Sequence, residues 1–196
     1  MGFTTNVLTL MLVQILGFAA SFFSGLFVIR FLLQWARAPF RNPIGRFVMT
    51  LTDWGVLRLR RVVPGWRGND LSSLVMAWLI ETVVVIVALL LIDTPAGLGG
   101  NLLPLAFIAG FVEMLRMICY VILAAAIGVV VLSWVNPHAP MAPVLQSVAE
   151  PFLRPFQRVI PPIAGIDLSP LFLLLVLQVV LGALAFAKSG ILGIHL

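Results

Sequence analysis

The chain has 196 residues, of which 62% are hydrophobic and only 10% charged, against about 25% charged in an ordinary soluble domain. A water-soluble core of this length cannot hide so much apolar surface, so the composition excludes a soluble globular protein and points to lipid as solvent. The net charge of +5 does not argue for nucleic acid: eight of the twelve basic residues (Arg30, Arg37, Arg41, Arg46, Arg58, Arg60, Arg61, Arg67) fall in one stretch between two apolar runs, where the positive-inside rule places them in a multi-pass membrane protein.

The first apolar run covers 7–29. No Lys or Arg precedes it, so the charged region of a cleaved signal is missing and the run reads as a retained span. Within it Gly17, Ser21 and Gly25 recur every fourth residue, a spacing that lets helix backbones approach. Bundle packing is the plainer reading and a dimer face the other. The arginine-rich stretch follows. There Ile44, Phe47, Val48, Leu51, Val62 and Val63 face away from Arg46, Asp53, Arg60 and Arg61, which suits a helix lying in the headgroup layer. Each basic side chain near an anionic leaflet contributes about 1 kcal/mol, so anionic lipid headgroups are the expected surface partner.

The second run covers 71–92 and carries Glu81 at its centre. A loop without Lys or Arg, residues 93–101, leads to the third run, 102–132 (span proper about 105–132). That run exceeds one crossing, so a tilt or an interfacial entry near Pro104 is expected. It holds the small pairs Ala106–Gly110 and Ala124–Gly128, and Glu113 and Arg116 three apart, which can pair on one helix face. A second amphipathic stretch follows, with Val144, Val148, Phe152 and Phe156 opposite Gln146, Ser147, Glu150, Arg154 and Arg158. Pro151 and Pro155 predict that it breaks into two short helices. The fourth run covers 168–187, with Lys188 just beyond it. The basic loops are the first and third, which places them in the cytoplasm and both termini outside. Trp35, Trp54, Trp66 and Trp134 fall on that same side, as in an interfacial aromatic belt.

The two halves repeat. Residues 61–74 and 158–171 are identical at eight of fourteen positions at a constant offset (161 − 64 = 97), and Asp53 falls on Glu150. Upstream, Trp35 matches Trp134 at an offset of 99. The fold expected is therefore an all-α membrane protein of about four transmembrane helices in two parallel tandem repeats, residues 1–97 and 98–196, each with a cytoplasmic interfacial amphipathic segment. Asp70 and Asp167 stand just before apolar helices, where a carboxylate can cap free N–H groups. Pro170 falls in a first helical turn, where no hydrogen bond is lost.

These residues resemble the YggT family (also called YlmG) of small bacterial and plastid membrane proteins. The second half carries the likeness: Trp134, Asn136 and Pro137; Pro151, Arg154 and Pro155; Arg158, Pro161 and Pro162; then Gly165, Asp167, Ser169 and Pro170. The first half departs from it at Gln34, Gly65 and Ser73. The resemblance implies a protein of the bacterial inner (plasma) membrane with no established enzymatic activity. It further implies loose links to ion and osmotic homeostasis and to envelope or division organisation, and in plastids to cytochrome assembly.

The chemistry-bearing residues agree with a non-enzyme reading. Neither a nucleophile–base pair nor a phosphate-binding glycine loop is present, and no cofactor is expected. Cys119 stands alone in an apolar run, and His138 and His195 are far apart, so no metal is expected either. The intramembrane polar residues Glu81, Gln178, Glu113 and Arg116 remain. Glu81 and Gln178 are equivalent in the repeat (178 − 81 = 97). They either hydrogen-bond across the pseudo-symmetric interface, in which case Glu81→Gln is tolerated, or Glu81 and Arg116 line an ion path. The first function expected is ion or osmotic homeostasis. The alternative is a scaffold or assembly factor that binds a membrane-protein partner or a second copy of the chain.

Overall fold

A computed structural model describes residues 2–39, 42–63, 65, 70–91, 101–160 and 167–193, with side chains from residue 7 onward. Those residues form six helices and no strand: α1 (Gly2–Trp35), α2 (Pro43–Leu59), α3 (Leu71–Leu91), α4 (Leu102–Val135), α5 (Ala142–Val159) and α6 (Ser169–Leu192). Uncharged apolar runs become helices because a backbone in lipid must satisfy its own hydrogen bonds. α1, α3, α4 and α6 are long and apolar enough to cross a membrane, so the chain is an all-helical, multi-pass membrane protein. Their outer faces are apolar as well: Phe18 and Phe186 are each 81% exposed, a liability in water and a contact surface in lipid. α1 and α4 each have 34 residues, about 51 Å at about 1.5 Å per residue. A hydrocarbon layer of about 30 Å therefore requires tilt or projecting ends.

Each half is built alike. α1, α2 and α3 pack on one another, α4, α5 and α6 do the same, and the halves join through α3 on α4 and through α1 on α4 and α5. The α3–α4 seam depends on Gly110. A Cβ there would sit 2.7 Å from the Cα of Thr82 and 2.8 Å from its nitrogen, closer than real side chains approach. Ala106, one turn earlier, is fully buried. Gly128 receives Leu145 of α5, whereas Gly17 meets nothing and Gly25 makes only an ordinary contact with Met117. The small residues of α4 are thus the packing seam, and the α1 series is not. The main core, including Phe27, Val28, Val56, Ala126, Val148 and Ala149, gathers where α2 and α5 join the spans. That is the basic end of the bundle, where α1 and α4 finish and α3 and α6 begin.

Four expectations change. α5 is one helix with Pro151 and Pro155 inside it, not two. Burial of Val144, Val148, Ala149 and Leu153 along one stripe outweighs the two missing N–H donors. The same stripe lies on the bundle, so much of the apolar face assigned to lipid serves internal packing. α4 runs unbroken from Leu102 without an irregular entry at Pro104, because Pro104 lies in the first turn, where no donor is lost; the tilt expected from its length stands. α6 continues past 187 to Leu192, closed by Gly193 in the left-handed conformation at φ 65°, and so takes Lys188 into the helix. Arg30 belongs to α1 and is 4% exposed, not part of the loop charge.

Candidate functional site

At the basic end, α1 presents Arg30 and Gln34 a turn apart on the side facing α2 and α3. Arg30 Nη1 donates to Thr52 Oγ1 at 2.8 Å and to Asp53 Oδ1 at 2.7 Å, and its Nε stands 3.8 Å from Asp70 Oδ2. Arg60 donates to the same Asp70 oxygen through Nε at 3.1 Å and Nη2 at 2.7 Å. That contact holds the Arg60 guanidinium above its ordinary value. Gln34 Oε1 accepts the Asp70 backbone N–H at 3.0 Å. Asp70 therefore turns one carboxylate oxygen, Oδ2, to two arginines, while Oδ1 is buried without a partner and does not cap α3. Two positive and two negative groups cancel here and tie α1, α2 and α3 together. Arg46 and Arg61 are exposed.

The second half keeps the place and loses the charge. Gln157 Nε2 donates to Asp167 Oδ2 at 2.9 Å, and Asp167 Oδ1 accepts the Ser169 N–H at 2.8 Å. Partial burial pushes the Asp167 carboxyl up, but the bonds from Ser169 and Gln157 outweigh it and hold the group below the usual carboxylate range. Other residues of the likeness spread over the basic end. Trp134 is 78% exposed, Asn136 Oδ1 accepts the His138 N–H, and Pro137 shares that exposed turn. Arg154 pairs with Glu150 at 2.9 Å on the surface, Arg158 is exposed, and Ser169 and Pro170 are buried in the first turn of α6. Pro161, Pro162 and Gly165 lie outside the described residues.

The second polar cluster is inside the span bundle. Arg116 Nη1 donates to both oxygens of Glu113, at 2.9 and 3.0 Å, as the three-residue spacing predicts. Lys188 of α6 donates to Glu113 Oε1, a partner that sequence reasoning missed by placing it beyond the span. Arg116 Nη2 also reaches the Tyr120 hydroxyl at 3.3 Å. Glu81 of α3 is 5% exposed. It stands beside Ser24 of α1, near enough to Glu113, Arg116 and Lys188 to feel their charges. Glu81 Oε1 and Ser24 Oγ are both buried without a hydrogen-bond partner. Gln178 is exposed on α6, so the expected bridge between Glu81 and Gln178 does not form. An apolar cavity of about 260 Å³ is lined by Ile29, Leu33, Tyr120, Ala124, Val144 and Val148 among others. Among the described residues no group of three His, Cys, Asp or Glu is placed to hold a metal.

Four apolar spans, two amphipathic helices at one end and a paired polar cluster in the bundle define a polytopic helical membrane protein. Comparison with known sequences carries this one step further. A family model described as CCB3/YggT matches residues 9–91 and 108–187, one segment in each half. The chain belongs to this family. An uncharacterised protein of Pseudomonas aeruginosa is 36% identical over 177 residues, covering 89% of this chain and 87% of that protein. The uncharacterised protein YggT of Escherichia coli K12 is 31% identical over 176 residues, with 89% and 87% covered. A Vibrio alginolyticus protein is 31% identical over 153 residues, 77% of this chain and 80% of its own. No solved structure matches.

Proposed function

We propose that the protein serves ion or osmotic homeostasis at the bacterial inner membrane, without catalysis, through the polar cluster inside its bundle. The observation that carries this reading is Glu81: a buried carboxyl in mid-span whose Oε1 has no partner. An acid at that depth costs roughly 2.5–3.5 kcal/mol, and here no cation or amide bonds it to offset the cost: its one polar neighbour is the uncharged Ser24, and Gln178 points outward. Intramembrane acids that no cation pairs with are candidates for ion and proton paths. The basic ends of α2 and α5 face the cytoplasm in this reading, with both termini outside.

The test is complementation of a deletion strain under ionic and osmotic stress, with variants matched for membrane level. The native chain restores growth, and Glu81→Gln and Glu81→Leu do not, although both insert and fold. Full rescue by Glu81→Gln refutes the ion reading and leaves scaffolding, in which the basic end and its exposed Trp134 meet a partner.

A further inference from the structure

The intramembrane cluster distributes its charges unevenly. Glu113 receives both cations, Arg116 through two oxygens at 2.9 and 3.0 Å and Lys188 through Oε1. Glu81 receives neither, although both cations stand close enough to act on it. Fully ionised, the four groups would sum to zero, yet one carboxylate would hold two cations and the other none. A buried, unpaired carboxylate is strongly disfavoured, and a neutral acid is not.

From this arrangement we infer that Glu81 carries an exchangeable proton and that Lys188 is the movable counter-ion whose shift from Glu113 to Glu81 releases it. The inference rests on the ion-homeostasis reading and names its ligand class as the proton. In the release step the O–H bond of the Glu81 carboxyl breaks, its electron pair stays on the carboxylate, and the proton leaves to water. Lys188 remains an ammonium throughout. Glu113 keeps Arg116, so each carboxylate then holds one cation. The roles divide by chemistry. Arg116 is fixed by two carboxylate oxygens and by the Tyr120 hydroxyl, whereas a lysine is a point charge on a flexible four-carbon stem. Lys188 also lies four residues from the end of α6 (192 − 188 = 4), with its side chain 32% exposed. Glu113 and Arg116 on α4 and Lys188 on α6 are the charged groups that act on Glu81, and α1 contributes the uncharged Ser24. A divalent cation fits poorly. Two unpartnered oxygens fall short of the six or so ligands it requires, and the two neighbouring cations repel it.

Infrared spectra of the full chain in lipid, titrated with pH in H₂O and D₂O, read the carbonyl band of a protonated acid directly. The expected band shifts in D₂O, vanishes as pH rises, is absent from Glu81→Gln and in Glu113→Gln vanishes at a lower pH than in the native chain, because Arg116 and Lys188 are then both free for Glu81. In Lys188→Met it survives to a pH about 1–3 higher, because the releasing cation is gone. A band unchanged by Glu81→Gln, or one whose pH dependence ignores Lys188→Met, overturns the inference. Should Glu81→Gln fold poorly, Lys188→Met decides alone, because it reads the native Glu81. The two readings separate cleanly. A missing band with failed complementation removes the proton and keeps the ion function. A Glu81 band with successful complementation by Glu81→Gln removes the ion function and keeps the proton.

Discussion

Asp70→Ala is expected to destabilise the protein by about 1–3 kcal/mol, short of the full scale for an uncompensated buried charge because Arg30 keeps its 2.7 Å pair with Asp53. The structure apportions that figure. Asp70 and Arg30 have side chains 2% and 5% exposed, whereas Arg60 is 45% exposed, so the Arg60 arm works on the surface scale of about 0.2–1 kcal/mol. The rest of the loss comes from the buried 3.8 Å contact with Arg30, which would keep Thr52 and the half-exposed Asp53 (47%). Arg30→Met should cost less than Asp70→Ala, because methionine retains much of the buried stem and Arg60 still neutralises Asp70. The double variant leaves no buried charge without a partner. Its loss should fall short of the sum of the single losses by about 1–3 kcal/mol, within the range seen for directly coupled sites. Unfolding in mixed detergent, followed by far-ultraviolet circular dichroism and tryptophan fluorescence, gives all four corners of the cycle. Single losses below about 0.5 kcal/mol that add without coupling would show that water screens the pair and would refute the latch.

Two further expectations concern packing and acid. Gly110→Ala should destabilise by about 1–3 kcal/mol through overpacking, since its Cβ would lie 2.7 Å from the backbone of Thr82; unchanged unfolding would mean α3 and α4 can move apart. Asp167 has a folded-state value below the ordinary carboxylate range, so its contribution is present above the unfolded value near 3.9 and lost as pH falls through the folded one. The native chain should accordingly lose thermal stability below about pH 4 by a small margin that Asp167→Asn lacks. A melting-temperature difference between the two that stays constant across that window counts against the Ser169 and Gln157 bonds.

Spans, their order and the amphipathic segments were readable because each is a one-dimensional signal: a run of apolar residues, or a stripe every fourth position. What was not readable is which face of a span turns inward. α3 and α6 are apolar almost all round, so their sequences carry little amphipathic pattern to orient them, and the buried Glu81 and exposed Gln178 look equivalent on paper. Arg30 and Lys188 were misplaced for a related reason. Each stands next to the edge of an apolar run, where hydropathy ends a span, while the helix continues because a partner on another helix neutralises the charge. The proline break in α5 failed because local propensity was set against tertiary burial along its inner stripe. Arg30 did leave one trace: a lone arginine a turn and a half before a Trp, in a chain whose two elbows each carry an aspartate.

Duplication explains how the two clusters divide between the halves. Glu81 corresponds to Gln178, and Glu113 to Gln14 (113 − 99 = 14). The seam of α3 on α4 encloses the first member of each pair, whereas no comparable seam joins α6 to α1 among the described residues. Gln14 and Gln178 are accordingly exposed. An amide facing lipid forgoes hydrogen bonds but carries no charge, and an ionised acid there would cost far more. The ionisable member of each pair thus stands at the seam where the second half supplies the cations: Arg116 and Lys188 pair with Glu113 of the same half and act at longer range on Glu81 of the first. At the basic end the division differs, because Arg30 has Val129 as its counterpart and Arg60 has Gln157 (30 + 99 = 129; 60 + 97 = 157). The first half holds its three helices by charge, while the second uses one amide–carboxylate bond. A change in α6 that moves Lys188 therefore meets a weaker restraint at its own elbow than the same change would meet in α3.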